Sequence, residues 1–578
     1  MASIELAAAR LGVLLEREVA PTKETWQDLK RQVAAELGIA QPADAELAAH
    51  LPPELARRLL PLWRTKPVRS RSGVAVVAVM SSPAACPHGK CTFCPGGPEV
   101  GVPQSYTGFE PSTMRAIQFG YDPYRIVRSR LAQLERNGHA IGKVDVVVQG
   151  GTFPARDTAY QEWFVAGITA ALNDGPGDGI VAWESERAWA DLASDERAGR
   201  LVALQLANES AACRLVGLTI ETKPDWCLEP HVDQMLRLGA TRVEIGVQTL
   251  DEDVLKATHR GHTMAETRQS FQVARDAGFK VCAHLMPGLP RPKDGRPDGP
   301  GHLDPEPGLD IADGAGLFTD ASLRPDMLKI YPTLVVQEGE TLLKRQWQRG
   351  EFHPYDSKQA ATVVARIKAA VPEWCRIQRV DRDIPTTHVE AGVLNSNLRQ
   401  LAQAEMARLG LPACRCVRCR ESGHREAAGA DVDPARAVLV RRVYPASDGD
   451  ELFLAFEDPA ADAIVGYLRL RRVGPGAHRS ETQIEGGAAF VRELKVPGTT
   501  RSVGDDPEAD GTNGSFQHQG FGSRLLAEAE RIAFSEWGVG RLLVIAGPGV
   551  KPYYRARGYA DCGPYVAKEK RSVPNGHA

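Results

Sequence analysis

The sequence has 578 residues, of which 43% are hydrophobic and 25% are charged, so we expect two or three soluble domains rather than one. Its 70 basic and 73 acidic residues leave a net charge of −3, which excludes a chain-wide basic field and restricts any nucleic-acid contact to a local patch. No apolar run approaches the length of about 18 residues that spans a bilayer, and the start lacks the pattern of a secretory signal, so we expect a cytoplasmic protein without membrane contact. The 11 cysteines are too few for a disulfide framework, and their clustering favours metal chemistry.

Residues 1–73 are predicted to form a helical segment. Its last part, 55–71, has basic side chains and no acidic ones. Such runs are commonly solvated surface, but this run leads into a cysteine-rich loop and is a candidate for phosphate contact. The basic residues are Arg57, Arg58, Arg64, Lys66, Arg69 and Arg71.

From residue 74 to 335, short apolar runs alternate with helical patterns. This alternation predicts parallel strands joined by crossover helices, and six such units fit an open, partial α/β barrel whose ligands bind at the carboxyl ends of the strands. The predicted strands are 74–80, 144–149, 215–220, 243–247, 280–285 and 327–331, and the predicted helices include 124–137, 158–172 and 252–276. The Gly- and Pro-rich stretch 287–316 is predicted to be a mobile loop without a catalytic role.

Three cysteines follow the first predicted strand. Cys86, Cys91 and Cys94 have the spacing C-x4-C-x2-C. Three thiolates on one short loop can hold three irons of a [4Fe-4S] cluster and leave the fourth iron open for a small chelating ligand. The alternatives are a zinc knuckle, which normally needs a fourth ligand close by, and free buried cysteines.

The cysteine loop resembles that of the radical S-adenosylmethionine (SAM) enzymes, and its flanking sequences are more specific. Gln104–Ala116, Tyr121–Tyr124 and Glu221–Asp225 resemble the catalytic subunit of Elongator and its stand-alone bacterial and archaeal relatives, the tRNA uridine 5-carboxymethyl transferases. The resemblance runs from about Arg64 to Lys568. It implies an α/β fold in which a partial radical SAM barrel precedes an α+β acetyltransferase domain of the GNAT type.

The resemblance also implies which barrel residues bind SAM. A Gly-Gly-Thr turn after the second strand resembles the motif whose backbone receives the amino group of this cofactor. Carboxylates at the barrel mouth can bind a ribose hydroxyl or the ammonium group, although each can equally be a structural, hydrogen-bonded acid. The candidates are Gly150, Gly151, Thr152, Glu221, Glu244 and Gln248.

Two lysines are further candidates. Lys329 ends the sixth strand in a stretch that borders the active cavity of the Elongator-like enzymes, and we expect a catalytic role. Lys143 matches a position implicated there in acetyl-CoA contact. From the sequence alone, both lysines can equally be surface residues.

Residues 336–429 are predicted to form a helical linker with a metal site. Cys414, Cys416 and Cys419 have the spacing C-x-C-x2-C, and three thiols within six residues cannot all point into an apolar core. Zinc is the favoured ion; the sequence does not fix a fourth ligand, for which His424 is the nearest candidate and His388 an alternative. The arginines around this site are candidates for presenting cations to RNA.

Residues 430–578 are predicted to form the acetyl-CoA domain, with strands at 438–444, 451–456, 463–470, 489–496 and 541–546. Gln517, Gly520 and Gly522 precede a predicted helix at 523–537 and resemble the GNAT loop, where backbone N–H groups at a helix N-terminus bind a pyrophosphate. Tyr553 and Tyr554 are candidate donors to the thioester or thiolate, with one of them expected to pack in the core. By resemblance, the acetyl-CoA site is lined by Glu493, Leu494, Lys495, Val496, Phe521, Gly522, Ser523 and Tyr554.

The resemblance implies joint chemistry between the two domains. Reductive cleavage of SAM gives a 5′-deoxyadenosyl radical, which takes hydrogen from the acetyl methyl group, and the resulting carbon radical adds to carbon 5 of the wobble uridine in the anticodon loop of tRNA. Loss of one electron and one proton from this adduct, with hydrolysis of the thioester, then leaves a carboxymethyl group. An external electron donor is required. The competing hypotheses are a lysine acetyltransferase with a structural iron–sulfur domain and a non-enzymatic RNA-binding scaffold.

Overall fold

A computed structural model describes residues 2–15, 21–48, 50–52, 54–55, 58–59, 62, 73–293, 299–498 and 520–570. Its centre is a seven-stranded sheet in which every neighbouring pair is parallel. The strands, in sheet order, are β1 (Ala75–Met80), β2 (Lys143–Gln149), β3 (Arg214–Thr222), β4 (Arg242–Gln248), β5 (Lys280–Leu285), β6 (Met327–Ile330) and β8 (Arg376–Val380). A small antiparallel pair, β7 (Val335–Val336) and β9 (Val389–Ala391), lies apart from this sheet.

Helices follow the strands and cover the sheet, as the alternating pattern predicts. Their starts are encoded locally: the Thr263 hydroxyl accepts from the Glu266 N–H at 3.2 Å, while the Glu266 carboxylate accepts from the Thr263 N–H at 2.7 Å. The helices span Pro111–Gln118, Pro123–Arg136, Thr158–Asp174, Glu186–Ala190, Ser194–Asn208, Glu229–Arg237, Glu252–Ala257, Met264–Asp276, Pro307–Thr319, Leu342–Gln348, Ser357–Ala370, Leu398–Arg408, Val417–Arg420 and Ser422–Ala427.

Three predictions for this region are corrected by the structure. The helix expected at 252–276 is two helices, separated by a turn in which His259 has a φ of 54°. The stretch 336–429 is not only helical, because β8 lies within it and completes the parallel sheet. The stretch 287–316 is not only loop, because a helix begins at Pro307 and Asp310 in it accepts from the Gly288 N–H at 2.7 Å.

The second sheet also has seven strands and is antiparallel except for one parallel pair, Ala488–Lys495 with Arg541–Val544. A helix, Phe521–Arg531, and a π turn, Ile532–Glu536, pack on it, and a short helix spans Lys551–Arg555. The strands, in sheet order, are β10 (Val438–Ala446), β11 (Gly449–Asp458), β12 (Ala463–Arg472), β13 (Ala488–Lys495), β14 (Arg541–Val544), β16 (Tyr565–Glu569) and β15 (Ala560–Cys562).

The two sheets are joined by a common core and by buried charge. Phe490 and Tyr565 of the second sheet belong to the same hydrophobic cluster as the barrel strands. The guanidinium of Arg492 binds both carboxylate oxygens of Asp326 at 2.7 Å and a Glu451 oxygen at 2.6 Å, and all three side chains are at most 1% exposed. The barrel and the second sheet are therefore packed as one body.

The amino-terminal helices, Ala2–Leu15, Lys23–Leu37 and Asp44–Ala48, bury a small core around Trp26. Arg58 donates to the Leu15 carbonyl at 2.8 Å. The other members of the basic run, Arg57 and 64–71, lie outside the described residues, so their contact with phosphate stays a prediction. Of the helices in the described part of the chain, none is both long and apolar enough to cross a membrane.

Candidate active site

A cavity of about 130 Å³ lies at the carboxyl ends of the barrel strands; we call it the first cavity. Parallel strands bring their carboxyl ends to one edge, which is why residues from distant parts of the chain meet here. The cysteine loop lines this cavity together with Gly151, Thr152, Glu221, Glu244 and Gln248.

The three thiols of the cysteine loop have separate polar surroundings. The Cys86 sulfur is 3.4 Å from the Thr152 hydroxyl, and the Ser105 N–H donates to the Cys94 sulfur at 3.0 Å. Burial raises the pKa of Cys94 to about 12, and a positive metal centre bound to the sulfur would oppose this effect.

The spacing of these thiols fits a cluster better than a single ion. Among the described residues, the groups of three or more ligand atoms within 4.8 Å of one another do not include Cys86, Cys91 and Cys94. A single ion held by sulfurs at about 2.3 Å would bring them within about 4 Å. Sulfurs farther apart suit a [4Fe-4S] cluster, in which each thiolate binds its own iron.

Glycine is required at both positions of the Gly-Gly turn, at Gly150 by close approach to Ser81 and by a positive φ, and at Gly151 by a positive φ. Gly150 has a φ of 127°, and a Cβ there would lie 2.1 Å from the Ser81 hydroxyl oxygen. Gly151 has a φ of 84°, and a Cβ there would lie 3.6 Å from the Cys86 sulfur. The turn thus places its backbone beside the cysteines.

The carboxylates of the first cavity are already partnered. Glu221 accepts from the Tyr106 hydroxyl at 2.7 Å and from Gln149 Nε2 at 3.3 Å. Glu244 is buried, contacts His284 Nε2 at 3.0 Å and forms an ion pair with Lys329. Burial opposes ionisation of Glu244, but Lys329 and His284 outweigh it and lower its pKa. Lys329 is accordingly a buried, protonated lysine rather than a surface residue.

A larger cavity of about 1250 Å³, the second cavity, lies between the inward face of the barrel strands and the second sheet. Alternate residues of β2, namely Lys143, Asp145, Val147 and Gln149, line it, because strand side chains point to one face at every second position. The opposite wall includes Glu493–Val496 of β13 and its extension. Twelve arginines and lysines line this cavity against four acids. Arg376 and Arg492 are paired with carboxylates outside the lining, and the excess of the other cations still suits an anionic ligand.

The two cavities meet at a shared wall. The side chains that line both are Ser112, Gln149, Glu244, Arg379 and Asp383. A group bound in the second cavity is therefore separated from the cysteine side only by these residues, with Lys329 beside them on the second-cavity side.

The glycine loop of the second sheet opens onto the second cavity. Gly520, with a φ of 80°, precedes the helix that begins at Phe521, and a Cβ on Gly522 would lie 3.4 Å from the Tyr553 hydroxyl. Gly520, Gly522, Ser523, Tyr553 and Tyr554 line the cavity. Gln517 lies outside the described residues.

The aromatic candidates divide between the cavity and the core. The Phe521 ring packs edge-on against Phe456 and is 4% exposed. Tyr554 is mostly buried in the same cluster, whereas Tyr553 is half-buried at its edge and lies under the Arg557 guanidinium at 3.6 Å. Tyr553 is the better placed of the two phenols to reach a ligand.

Several cavity residues were not singled out from the sequence. Burial lowers the pKa of Lys280, in the second cavity, to about 8. Arg242 and Lys280 are the first residues of β4 and β5; the predicted strand 243–247 begins after Arg242, and the predicted strand 280–285 begins at Lys280. A search for basic residues at the amino ends of predicted parallel strands would have found both.

The second cysteine group is compact. The sulfurs of Cys414, Cys416 and Cys419 lie within 4.8 Å of one another, and this group includes no fourth ligand among the described residues. His424 lines the second cavity, and His388 stacks on Phe109 at 3.9 Å.

Two of the four arginines around this group are engaged in ion pairs. Arg415 pairs with Asp462 at 3.0 Å, and Arg420 pairs with Asp462 and Glu457. Arg418 lines the second cavity.

Comparison with known proteins defines the class. A family model described as the radical SAM superfamily matches residues 80–297, and one described as the radical SAM C-terminal domain matches residues 325–408. These parts of the chain are therefore radical SAM domains.

Relatives that match almost the whole chain define the family more narrowly. The "tRNA uridine(34) acetyltransferase" of Methanocaldococcus infernus is 42% identical over 92% of each chain. "Elongator complex protein 3" of Homo sapiens is 41% identical over 93% of this chain and 92% of that protein. The solved structure of archaeal Methanocaldococcus infernus Elp3 with an N-terminal deletion matches with a TM-score of 0.69 and 38% identity, covering 86% of this chain and 99% of that one. The chain belongs to this family of tRNA uridine(34) acetyltransferases and Elongator complex protein 3.

Proposed function

We propose that this protein uses SAM radical chemistry and acetyl-CoA to install a carboxymethyl group on carbon 5 of the wobble uridine of tRNA. The observation that carries the proposal is the wall shared by the two cavities, because it brings a cluster site and a site for an anionic acyl donor next to each other. The names of the relatives support tRNA uridine 34 as the target. A lysine acetyltransferase would not need this junction.

In the first cavity, Cys86, Cys91 and Cys94 hold the cluster, and the Gly150–Thr152 turn with Glu221, Glu244 and Gln248 holds SAM. When bound, the cluster and SAM would together supply one-electron chemistry that removes hydrogen from an unactivated methyl group. Because ion pairing raises the pKa of Lys329, this residue acts as a fixed cation beside the acyl group and not as a base. The ion pair with Glu244 holds the ammonium group of Lys329 at the wall shared by the two cavities.

In the second cavity, the N-terminus of the helix at Phe521 binds the pyrophosphate of acetyl-CoA through Gly520 and Gly522. Glu493–Val496 and Ser523 line the remainder, Lys143 contacts the cofactor from the barrel side, and Tyr553 donates to the thioester or thiolate. Residues 430–578 then form a GNAT-type domain, and the radical SAM barrel extends from residue 74 to the end of β8. The segment between β8 and residue 430 connects the two, and Cys414, Cys416 and Cys419 in it hold a structural zinc ion.

The anticodon loop of tRNA presents a flipped, single-stranded base to the wall between the cavities. The amino-terminal segment 1–73 contributes phosphate contacts, and a low-potential electron donor acts from outside. We expect this tRNA-processing reaction to take place in the cytoplasm.

Reconstitution tests the proposal. Anaerobically reconstituted protein is incubated with unmodified tRNA, SAM, acetyl-CoA and a reductant, and the digested nucleosides are analysed by mass spectrometry. Carboxymethyluridine is expected only when all components are present. Acetylated protein lysines with unmodified tRNA would instead favour the lysine acetyltransferase.

A further inference from the structure

Arg260 lines the first cavity beside the cysteine loop. It lies in the turn after the Glu252–Ala257 helix, and its side chain is 5% exposed. Nη2 donates to the Gly246 carbonyl at 2.7 Å, and Nη1 donates to the Cys91 sulfur at 3.4 Å. The guanidinium thus connects the end of β4 to one cysteine of the loop.

The charge of Arg260 is not balanced by a carboxylate. Within the described ranges, no carboxylate oxygen lies within 4.0 Å of this guanidinium. The neighbouring buried cation Lys223, by contrast, pairs with Asp225 at 3.1 Å. A guanidinium stays protonated in proteins, and a buried cation without a counter-charge is strongly destabilising. The sulfur of Cys91 can supply the missing negative charge as a metal-bound thiolate.

We infer that Arg260 is a positioning residue that raises the reduction potential of the iron–sulfur cluster. The inference rests on the cluster of the proposed function. One-electron reduction by an external low-potential donor adds one negative charge to the cluster and breaks no bond, and a positive charge hydrogen-bonded to a ligand sulfur stabilises the more negative state. The Ser105 N–H and the Thr152 hydroxyl, which contact the other two sulfurs, carry no full charge.

Potentiometric titration of the reconstituted full chain, without tRNA or acetyl-CoA, tests this role. At a fixed mediator potential, Arg260→Gln is expected to lower the ratio of reduced to oxidised cluster about tenfold, which is 59 mV for a one-electron couple. Lys90→Gln is the matched control. Lys90 is also a cation near the cluster site, in the cysteine loop itself, but it is exposed and pairs with Glu99 at 2.7 Å. Its ratio is expected to stay within about twofold of the wild type, since exposed charges are screened.

A second measurement does not depend on the variant assembling a cluster. Wild-type protein labelled with nitrogen-15 arginine is reduced and studied by pulsed electron paramagnetic resonance, which is expected to show coupling of the cluster to a guanidinium nitrogen. Absence of this coupling would overturn the inference, as would an Arg260→Gln protein with a full iron content and an unchanged ratio. A wild type that binds no iron would refute the cluster itself, and with it the proposed function.

Discussion

At the residue scale, the buried pair Glu244–Lys329 in the wall between the cavities gives a direct prediction. Removing one partner of a buried ion pair leaves an uncompensated charge, so Lys329→Met is expected to lower the free energy of unfolding by about 3 kcal/mol. The double variant Glu244→Gln with Lys329→Met is expected to recover most of this loss, because no charge is left unpaired. Urea unfolding of the single and double variants measures the coupling, and additive losses would contradict the pairing.

Asp381, directly after β8, gives a pH-dependent prediction. Its φ is 84°, and burial raises the pKa of its carboxyl group to about 6. The folded state therefore holds the proton more tightly than the unfolded state, and stability from this group is lost as pH rises from about 4 through about 6. Asp381→Asn, which tolerates the same backbone, is expected to raise the free energy of unfolding by about 1–3 kcal/mol at pH 7.5 and to leave it unchanged near pH 4. An equal gain at both pH values would rule out the carboxyl charge as the cause.

The sequence was informative about candidate residues but not about their pairing. The spacing of Cys86, Cys91 and Cys94 and the position of Lys329 at a strand end follow from local pattern alone. The ion pair of Lys329 with Glu244 joins residues 85 positions apart, and it depends on the order of strands in the sheet. The sequence around Arg260 has no motif that points to a ligand, so its contact with Cys91 could be recognised only in the structure.

At the scale of elements, strand pattern predicted the first six barrel strands because they are apolar and separated by helices. The seventh, β8, has the sequence Arg-Ile-Gln-Arg-Val and only two buried apolar side chains, Ile377 and Val380, so it was assigned to a helical region. The helix Pro307–Thr319 was missed because it contains four Gly or Pro residues among its thirteen. Its tie to the barrel through Asp310 compensates for that weak helix propensity.

The compact cysteine group lies at the short helix Val417–Arg420, which packs beside β8. The Val417 N–H donates to the Cys375 carbonyl at 2.9 Å, and Glu421 pairs with Arg376 of β8. Cys416→Ser is expected to abolish bound zinc and lower the melting temperature by several degrees, because metal-binding energy contributes to folding. Cys562→Ser, at a half-exposed cysteine outside the group, is the control and is expected to change neither. Unchanged zinc content in Cys416→Ser would refute the site.

At the scale of the whole molecule, buried charges fix the second sheet on the barrel. Arg492→Met leaves the carboxylates of Asp326 and Glu451 without this guanidinium and is expected to cost about 3–5 kcal/mol of unfolding free energy. Arg555→Gln is the matched control, because Arg555 also bridges the two parts, to Glu209 at 2.6 Å, but is 30% exposed. Its cost is expected to stay below about 1 kcal/mol. Equal costs in thermal or urea unfolding would show that burial of the bridge is not decisive.

The ion pair between Arg492 and Asp326 bears on function because both residues adjoin residues that line the second cavity. Asp326 directly precedes β6, which carries Lys329, and Arg492 directly precedes Glu493. The bridge therefore sets the distance between the two walls of the second cavity, across which the acetyl group is proposed to reach the first cavity.

The central claim, that the acetyl group of acetyl-CoA supplies the added carbon, is tested most directly by isotope labelling. Acetyl-CoA with carbon-13 in its acetyl group is expected to label carboxymethyluridine with the wild type and with Gly199→Glu, a change at an exposed helix position with open space around it. Gly522→Glu places bulk and negative charge at the glycine loop, at an expected cost on the order of several kcal/mol of cofactor binding, and is expected to give no labelled product while SAM is still bound. Carboxymethyluridine that forms without the label would contradict the account.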